Sequence, residues 1–451
     1  MTDTVDALLD QALVVEVHDT LGHLAPEGTV VRFSSIPIPD KFTVEAFVQD
    51  LSASSPSTFA SGATDESGRT GVLVRLGSIA GPARIAIYVP ILDIHDTVNF
   101  TIEPGAAVGA LVVPKDTALY VGNSFTLKGA VVDNHGNPRP DPVTWSISGS
   151  GASVSPAGVV TASAVGRYTI SASTAVGSAT GAVSVVPKLR LAGYRFGFPG
   201  TLVSVELDGS DLETLTTVAD GGVGPHPSWM LDNKSVVYTH YDGNLQVLRV
   251  VDDAGTVKAF LASPPATMSH QADPTPTHDG RWVYFGAYDT RCGAGHYCLF
   301  RAKSDGTLPE MLGNSIDTVR ATRQPGPSPD GSVVAFVLGE FYDSPIIKVF
   351  DVASATVSSW SMPGQAPSWA PDGSKIAFVD AGQIKLMNPD GSSVEALGPT
   401  DAFFSGIVLG WSPDSKWIVT RAGGVLTVIR VSDGLALPLP FTSALSAGSV
   451  R

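Results

Sequence analysis

The sequence predicts an all-β protein in three parts: two small β-sandwiches in tandem, followed by a ring of small repeated sheets. Three observations predict this fold class. Apolar and polar residues alternate along most of the chain with the period of a β-strand. The 451 residues include 47 Gly and 33 Pro, which favours many short strands joined by turns. In the last part of the chain, one short pattern recurs five times.

Charge and hydropathy exclude two classes of partner. The net charge is −15 and the sequence has no cluster of Lys or Arg, so we expect no nucleic-acid partner. No apolar run approaches the roughly 20 residues of a membrane-spanning helix. The first residues are acidic and do not form a signal peptide. We therefore expect a secretory or lipoprotein leader upstream of Met1, with a cytoplasmic start as the alternative.

Residues 1–104 form the first part. Strand-like runs such as Leu13–Asp19 alternate with Asp-x-x-Gly turns. The pattern resembles the bacterial immunoglobulin-like module of invasin and intimin, the Big-1 type, and the resemblance implies a β-sandwich. Turn-forming residues and core apolar residues carry it, and none of them indicates a binding site. They are Asp19, Gly22, Gly28, Phe33, Thr64, Asp65, Gly68 and Phe100.

Residues 105–187 form the second part. Trp145 lies in a strand-like run of alternating residues, Val143–Ser146, and we expect it to be buried in a small two-sheet core. A turn at Gly122, a Gly-Val-Val-Thr-Ala run from Gly158 and a closing Val-Ser-Val-Val complete the pattern. It resembles the second bacterial immunoglobulin-like family, Big-2. This module contains no cysteine, so packing alone has to stabilise it.

Residues 188–451 repeat. Five segments carry an aspartate in the same place, and a second strand-like motif occurs six times. Six copies of one motif against five of the other predict a ring in which the tail, near Phe441–Val450, completes the first sheet. Such a closure leaves no exposed sheet edge. The repeated aspartates, spaced 47, 51, 42 and 42 residues apart, are Asp232, Asp279, Asp330, Asp372 and Asp414.

The repeat resembles the TolB-type, WD40-like PD40 motif Pro-x-Trp-Ser-Pro-Asp-Gly, which implies a six-bladed β-propeller. The match is specific from Ala366 and from Val408, and it is weaker in the earlier copies. Asp and Gly are expected to form the tight turn between the first two strands of each blade, because Asp bonds nearby backbone and Gly accepts positive φ. We interpret these residues as structural.

A binding site is predicted where the innermost strands converge on the central channel. The residue before the first Pro of each repeat should face one mouth of this channel. We expect a site on blades 2 to 4, against the alternative of a solvated rim. The candidate ligand-binding residues are His226, Asp273, Arg323, Gln324 and Gln365, and Ala366 and Val408 complete the ring.

Five of the nine histidines lie between residues 226 and 296. A metal site needs two or three converging imidazoles or carboxylates. Oligogalacturonate lyases are propellers related to this repeat family and have a histidine-bound metal. His226 and His270 are therefore weak candidates for a divalent metal, although no pair has the spacing of a strong motif. The expected cofactor is none, with a divalent metal as the alternative.

The two cysteines, Cys292 and Cys298, flank a Gly-rich tip between two strand-like runs. We expect a disulfide that restrains this tip. Half of a metal site and two free thiols are the alternatives. A disulfide favours an oxidising compartment, hence the periplasm, the cell surface or the exterior.

The sequence contains no nucleophile elbow and no hydrolase segment after the repeats. The resemblances imply a non-enzymatic surface or periplasmic binding protein, in which an immunoglobulin-like stalk presents a propeller to a protein or glycan. We expect a monomer. The rival hypothesis is a metal-dependent uronate lyase that uses the histidines of blades 2 and 3.

Overall fold

A computed structural model of the chain shows the fold. It describes residues 2–38, 43–51, 55–195, 200–218, 222–224, 226–243, 245–292, 297–313, 323–338, 345–358, 360–401, 409–440, 445–446 and 448–451. These residues contain 43 strands, one 3-10 turn at Thr290–Cys292 and no α-helix, so the all-β prediction is confirmed. In this part of the chain, no helix has the length and hydropathy needed to cross a bilayer.

The first part contains two sheets. Five strands pair in the order β1-β8-β7-β3-β5, and three in the order β2-β6-β4. Alternate residues of these strands point inward and form one apolar core, in which Phe33 and Ile85 are fully buried. The predicted Asp19 turn is present, since the Asp19 carboxylate accepts the N–H groups of Leu21 and His23. The strands are β1 Thr2–Thr4, β2 Leu13–Glu16, β3 Val30–Ile36, β4 Ala46–Gln49, β5 Phe59–Ala63, β6 Arg69–Leu76, β7 Gly81–Val89 and β8 Ile94–Glu103.

The second part contains three sheets, in the orders β10-β18-β17-β14, β11-β16-β15 and β13-β12-β9. Trp145 is only partly buried, although the sequence predicted a buried position. Its ring lies over Gly129 and Gly158, where a Cβ atom would collide with it. The strands are β9 Gly109–Val113, β10 Asp116–Tyr120, β11 Ser124–Thr126, β12 Lys128–Val132, β13 Pro138–Arg139, β14 Thr144–Ile147, β15 Ala152–Val154, β16 Val159–Ala162, β17 Gly166–Thr174 and β18 Gly177–Val186.

The repeated part contains six antiparallel sheets, here called sheets 1 to 6 in chain order. Sheet 1 is β21 Glu213–Val218, β20 Gly200–Glu206, β19 Arg190–Arg195 and β43 Leu445–Ser446. Sheet 2 is β22 Ser228–Trp229, β23 Val236–Asp242, β24 Leu245–Val251 and β25 Val257–Ala259. Sheet 3 is β26 Met268–Pro276, β27 Trp282–Asp289, β28 Tyr297–Lys303 and β29 Glu310–Met311.

Sheet 4 is β30 Arg323–Pro327, β31 Val333–Leu338, β32 Ile346–Asp351 and β33 Thr356–Val357, and β34 Met362–Pro363 also pairs with β32. Sheet 5 is β35 Gln365–Trp369, β36 Ile376–Asp380, β37 Gln383–Met387 and β38 Glu395–Pro399. Sheet 6 is β39 Gly410–Trp411, β40 Trp417–Ala422, β41 Val425–Arg430 and β42 Ala436–Leu439.

Each of these sheets shares an apolar core with the next. Tyr194 of sheet 1 packs with Tyr238 of sheet 2, and similar cores join sheets 2 and 3, 3 and 4, 4 and 5, and 5 and 6. A further core joins sheet 6 to sheet 1, with Trp417 beside Leu191. Every sheet is therefore covered on both faces by its neighbours.

The tail of the chain pairs with the first strand of sheet 1. Tyr194 lies opposite Ser446 in the antiparallel pair β19–β43. Arg190 and Arg451 exchange two backbone hydrogen bonds of 2.9 and 3.0 Å, and the Ala192 N–H donates to the Ser449 carbonyl at 3.0 Å. In the described residues, the innermost strand of sheet 1 thus comes from the opposite end of the chain.

The repeated aspartates form the expected turns. Each carboxylate accepts the backbone N–H two residues downstream, as Asp330 does from Ser332 at 3.0 Å. This hydrogen bond from Ser332 lowers the pKa of Asp330. The residue directly after each repeated aspartate has a positive φ. It is Gly280, Gly331 or Gly373 in three of the turns and Asn233 or Ser415 in the other two.

The second module is docked on the seam between sheets 6 and 1. Tyr120 and Val186 belong to the apolar core shared by these two sheets. The Tyr120 hydroxyl lies 2.7 Å from Glu206 Oε2 and accepts the Leu207 N–H at 2.8 Å. Burial, together with the Glu206 carboxylate, raises the pKa of Tyr120. This joint is packed, so the module does not hang from a loose linker.

The first two modules also share a built joint. Asn137 is buried, its Nδ2 donates to the Ser78 carbonyl at 2.8 Å, and its Oδ1 accepts the Ala80 N–H at 2.9 Å. Asn137 also donates to the buried Asp133. Burial alone would raise the pKa of Asp133, but hydrogen bonds from Asn137 and from the backbone hold it well below its usual range.

Candidate functional site

The ring positions predicted from the repeats share an unusual backbone conformation. His226, Asp273, Gln324 and Ala366 have φ values of 66°, 56°, 54° and 52°. In sheets 3, 4 and 5, the register between the first two strands shifts at this point. Positive φ is uncommon for residues other than Gly and persists only where the surroundings enforce it. The four residues are therefore structurally equivalent. Val408 lies outside the described residues.

The side chains at these positions link successive sheets. The Ala366 N–H donates to Gln324 Oε1 at 2.9 Å, and the Gln324 N–H donates to Asp273 Oδ2 at 3.2 Å. The Asp273 N–H in turn donates to Thr239 Oγ1 of sheet 2 at 3.3 Å. Since each of these bonds satisfies a backbone donor of the next sheet, Asp273 and Gln324 have a structural role in holding sheets 2 to 5 together.

The His226 side chain contacts two members of this series of hydrogen bonds, Gln324 and Asp273. Its Nε2 lies 3.2 Å from Gln324 Nε2 and 3.7 Å from Asp273 Oδ1. Gln324 Oε1 is occupied by the Ala366 N–H, so the Gln324 amide nitrogen faces His226 as a donor. The contact connects sheets 2 and 4, which are not neighbours in the ring.

A cavity of about 280 Å³ lies in the channel next to these residues. Its lining runs from the ring positions towards the aspartate turns. His226 and Asp273 are buried, at 9% and 5% exposure, and His226 lines the cavity. One lining position recurs once in each sheet. In the order of the sheets, its residues are Val450, Trp229, Pro276, Pro327, Trp369 and Trp411.

Three of these six residues are tryptophans, and their indole N–H groups differ. Trp411 Nε1 donates to the Ser368 carbonyl of the preceding sheet at 3.1 Å. Trp229 Nε1 and Trp369 Nε1 are buried and have no hydrogen-bond partner among the described residues. A buried donor without an acceptor costs about 1–3 kcal/mol. Neither nitrogen is accessible to solvent, so the indole rings line the cavity without presenting their N–H groups to it.

The electrostatics of the cavity are simple. Among the described residues that line it, Arg451 is the one side chain with a permanent charge. Its guanidinium carbon lies 3.9 Å from the centroid of the Trp229 ring, at the distance of a cation–π contact. The lining is otherwise apolar, hydroxyl or amide in character, apart from the imidazoles of His226 and His278. This composition suits a neutral or singly anionic ligand.

The other predicted site residues lie in or beside strands of sheets 3, 4 and 5. Gln365 lies in β35, opposite Val379, and is partly buried. Arg323 begins β30, and its side chain lies outside the described residues. The His270 ring packs against Tyr288 with 5.0 Å between ring centroids. In the described part of the chain, no group of three or more His, Cys, Asp or Glu is arranged to hold a metal.

The cysteines meet at the tip of sheet 3. Cys292 and Cys298 are in bonding contact, with their Cα atoms 6.3 Å apart. Beside them, Asp289 is buried and is paired with Arg291 and Thr267. The hydrogen bond from Arg291 outweighs burial and lowers the pKa of Asp289 to about 2. The disulfide is a prediction that the mass of the non-reduced, alkylated protein tests.

Sequence reasoning missed the tryptophans as site residues. It treated Trp369 and Trp411 as part of the repeat signature, so their place in the cavity wall was overlooked. Their sequence position could have indicated this role, because each tryptophan lies three residues after the predicted channel residue of its repeat. Which indole lacks an acceptor depends on a carbonyl of the neighbouring sheet, and no sequence pattern contains that information.

Comparison with known proteins gives only distant similarities. No family model matches it. A segment is 29% identical over 119 residues to an uncharacterized protein of Agrobacterium fabrum, and the match covers 24% of this chain and 38% of that protein. The chain thus spans well under half of that relative's length.

Solved structures give weak likenesses. TolB from Acinetobacter baumannii is 18% identical with a TM-score of 0.44, over 68% of this chain and 81% of that one. A TolB-like protein from Agrobacterium tumefaciens is 16% identical with a TM-score of 0.42, over 59% and 99%. An oligogalacturonate lyase in complex with manganese is 14% identical with a TM-score of 0.38, over 62% and 82%. These values are too low to transfer a function to this chain.

Proposed function

We propose that this chain is a non-enzymatic binding protein of the periplasm or cell exterior, whose six sheets form a closed propeller that binds its ligand in the central cavity. The two N-terminal modules are immunoglobulin-like sandwiches that carry the propeller. The ligand is part of a protein or a glycan. The six shared cores and the pairing of the tail with β19 support the ring.

One observation carries the binding proposal. Residues of all six sheets build the cavity, and its described lining combines three tryptophan side chains with one permanently charged group, Arg451. Ligand sites are typically concave, mostly apolar pockets with a few polar groups that orient the ligand. Asp273 and Gln324 already accept hydrogen bonds from backbone N–H groups of neighbouring sheets. Binding is the simpler use of this geometry.

The joints shape how the modules act. Tyr120 docks the second module on the ring, and Asn137 docks the first module on the second. An arm of this kind presents the propeller in a fixed orientation, whereas a loose stalk would let it swing. The predicted disulfide between Cys292 and Cys298 supports an oxidising compartment.

A binding screen with the whole chain tests the proposal. The immobilised protein is presented with a glycan array and a peptide array, and hits are compared with a variant whose cavity is filled. Thr275 lines the cavity, and Thr275→Phe fills its space with a larger side chain. Thr217→Phe, on the exposed face of β21, is the matched control. Hits lost in the first variant and kept in the second support the proposal. Hits that survive Thr275→Phe contradict it.

The lyase hypothesis has one supporting contact, the approach of His226 to Asp273. It is tested with oligogalacturonate and Mn²⁺, by following the ultraviolet absorbance of an unsaturated product. Lyase activity that is lost in His226→Ala and unchanged by substitution of Trp229 or Trp369 would favour the enzyme over the binding protein.

A further inference from the structure

We propose that the cavity binds the C-terminal residue of a protein, with its free carboxylate on Arg451 and its apolar side chain among the tryptophan and proline rings of the wall. This inference rests on the proposed function and deepens it, because it names the chemical group that enters the cavity. Its starting point is the Arg451 guanidinium, the one permanently charged side chain in the described lining.

The guanidinium of Arg451 has unused hydrogen-bond donors. It lies over the Trp229 ring, and both residues line the cavity. Among the described residues, no hydrogen bond or ion pair engages its nitrogens. Arg451 is only partly buried, and its nitrogens keep accessible surface, in contrast to the indole nitrogens of Trp229 and Trp369. A guanidinium presents a planar fork of five N–H donors that matches a carboxylate, so Arg451 is able to receive an anionic group.

The described carboxylates around Arg451 do not balance its charge. Those that act on it electrostatically are Glu206, Glu213 and Asp232. Glu206 and Glu213 are paired with Arg190. Asp232 accepts hydrogen bonds inside its own turn. Burial, together with the Arg190 cation, outweighs the three carboxylates and lowers the pKa of Arg451, so a ligand carboxylate would supply a counter-charge that the site lacks.

The rest of the described lining favours an apolar ligand body. Indole and proline rings, with Leu, Met and Val side chains, form most of it. Some of its hydroxyl groups are already engaged within the protein. Ser368 donates to the Leu409 carbonyl at 3.0 Å, and Ser449 accepts the backbone N–H of Trp229 at 2.6 Å. One cation in a mostly apolar pocket suits a ligand that has a carboxylate next to an apolar group.

The last residue of a protein combines these two features. Its α-carboxylate and its side chain are attached to the same carbon atom. The volume of about 280 Å³ lies just below the roughly 300–1,000 Å³ of drug-sized sites, which suits one residue better than a longer segment. An internal segment of a protein has no α-carboxylate, and a uronic acid carries its carboxylate on a polar ring. A chain end with an apolar last residue therefore matches the wall better than either.

The test uses the full chain and the peptides acetyl-Gly-Gly-Gly-X, in which X is Leu, Phe, Ser or Asp. Each peptide is made as the free acid and as the C-terminal amide, and is titrated to 10 mM by calorimetry. We expect saturable binding of the Leu or the Phe acid. The matching amide should bind about 10-fold more weakly, because it cannot pair with the cation. The Ser and Asp acids should also bind more weakly, because their side chains are polar.

Variants place the carboxylate on Arg451. Arg451→Gln should weaken binding of the free acid about 10-fold and remove the preference for the acid over the amide. Arg75→Gln is the matched control, because Arg75 is exposed on β6 of the first module and does not line the cavity. It removes the same charge and should change the affinity less than about 2-fold. Near-ultraviolet circular dichroism verifies that each variant is folded, and the comparison of acid with amide on the wild type depends on no variant.

The outcomes separate this inference from the proposed function. Equal binding of acid and amide, or equal affinities of Arg451→Gln and wild type for the acid, overturns the inference. Free phenylacetate that binds more tightly than every peptide acid assigns the site to a small acid and also overturns it. Glycans or internal peptide segments that bind and are blocked by Thr275→Phe, while no peptide acid binds, overturn the inference and leave the proposed function standing. If no ligand binds, or if acid binding survives Thr275→Phe, both proposals fall.

Discussion

The hydroxyl of Tyr120 is predicted to stabilise the seam at which the ring closes. Tyr120→Phe removes one oxygen and leaves the ring of the side chain in the core shared by sheets 6 and 1. The hydroxyl lies 2.7 Å from Glu206 Oε2 and 2.9 Å from the Leu189 carbonyl, and the bond to the carboxylate is the shorter and stronger of the two. Such bonds contribute about 1.5–3 kcal/mol.

Two compensations limit the loss. The Leu207 N–H, which donates to the Tyr120 hydroxyl at 2.8 Å, also donates to the Leu189 carbonyl at 3.0 Å. Glu206 remains paired with Arg190 at 3.2 Å. Neither group is stranded without a partner, so we expect a loss near the middle of the range, about 2 kcal/mol. For a cooperative unit of the size of the ring, this lowers the melting temperature by about 4 °C.

The assay is calorimetry combined with hydrogen exchange of the whole chain. Tyr168→Phe is the matched control, since the Tyr168 hydroxyl makes one neutral bond, to the Ala164 carbonyl at 3.0 Å, inside the second module. It should cost about 1 kcal/mol and leave exchange in sheet 1 unchanged. Tyr120→Phe should instead accelerate exchange in sheet 1. A free energy of unfolding of Tyr120→Phe within 0.5 kcal/mol of the wild-type value, or a loss of stability confined to the second module, would refute the reasoning.

Two further predictions concern the turns and the tip of sheet 3. Gly373→Ala should destabilise the protein by about 1–2 kcal/mol, measured by urea unfolding, because φ at this position is +75°. The new Cβ would meet no atom closer than 3.8 Å, so the backbone conformation alone accounts for this loss. Gly331→Ala should cost more, since its Cβ would also lie 3.1 Å from Thr277 Cγ2; equal costs would contradict this. Asp289→Asn should cost about 2 kcal/mol at pH 7, because Arg291 lowers the carboxyl pKa to about 2 from an unfolded value near 3.9. A carboxyl group whose pKa is depressed in the folded protein stabilises it at pH values above the unfolded pKa. The difference in free energy of unfolding between wild type and Asp289→Asn should therefore shrink from pH 4 to pH 2. A difference that stays constant over this range would count against the ion pair of Asp289 with Arg291.

Much of the architecture was within reach of the sequence because turn chemistry is local. An aspartate followed by Gly, as in Asp330 and Gly331, forms the same turn wherever it occurs, so the repeats showed where strands begin and end. The same alignment found positions that share left-handed backbone conformation, although His, Asp, Gln and Ala have no common propensity for it.

The details of the site depend on contacts between distant segments. Tyr120 reads as an ordinary strand residue, and its partner Glu206 lies 86 residues away. The roles of Asp273 and Gln324 as links between sheets depend on the backbone of the following sheet. No sequence pattern contains these structural contacts, and the ligand-binding role predicted for both residues stays a prediction.

Closure of the ring by the tail is the claim on which the cavity depends, and amide hydrogen exchange tests it most directly. The N–H groups of Arg190 and Ala192 donate to Arg451 and Ser449, so they should exchange as slowly as those inside β20. Deletion of residues 445–451 should make them exchange rapidly. Fast exchange of both amides in the intact chain would contradict a ring fastened by its own tail.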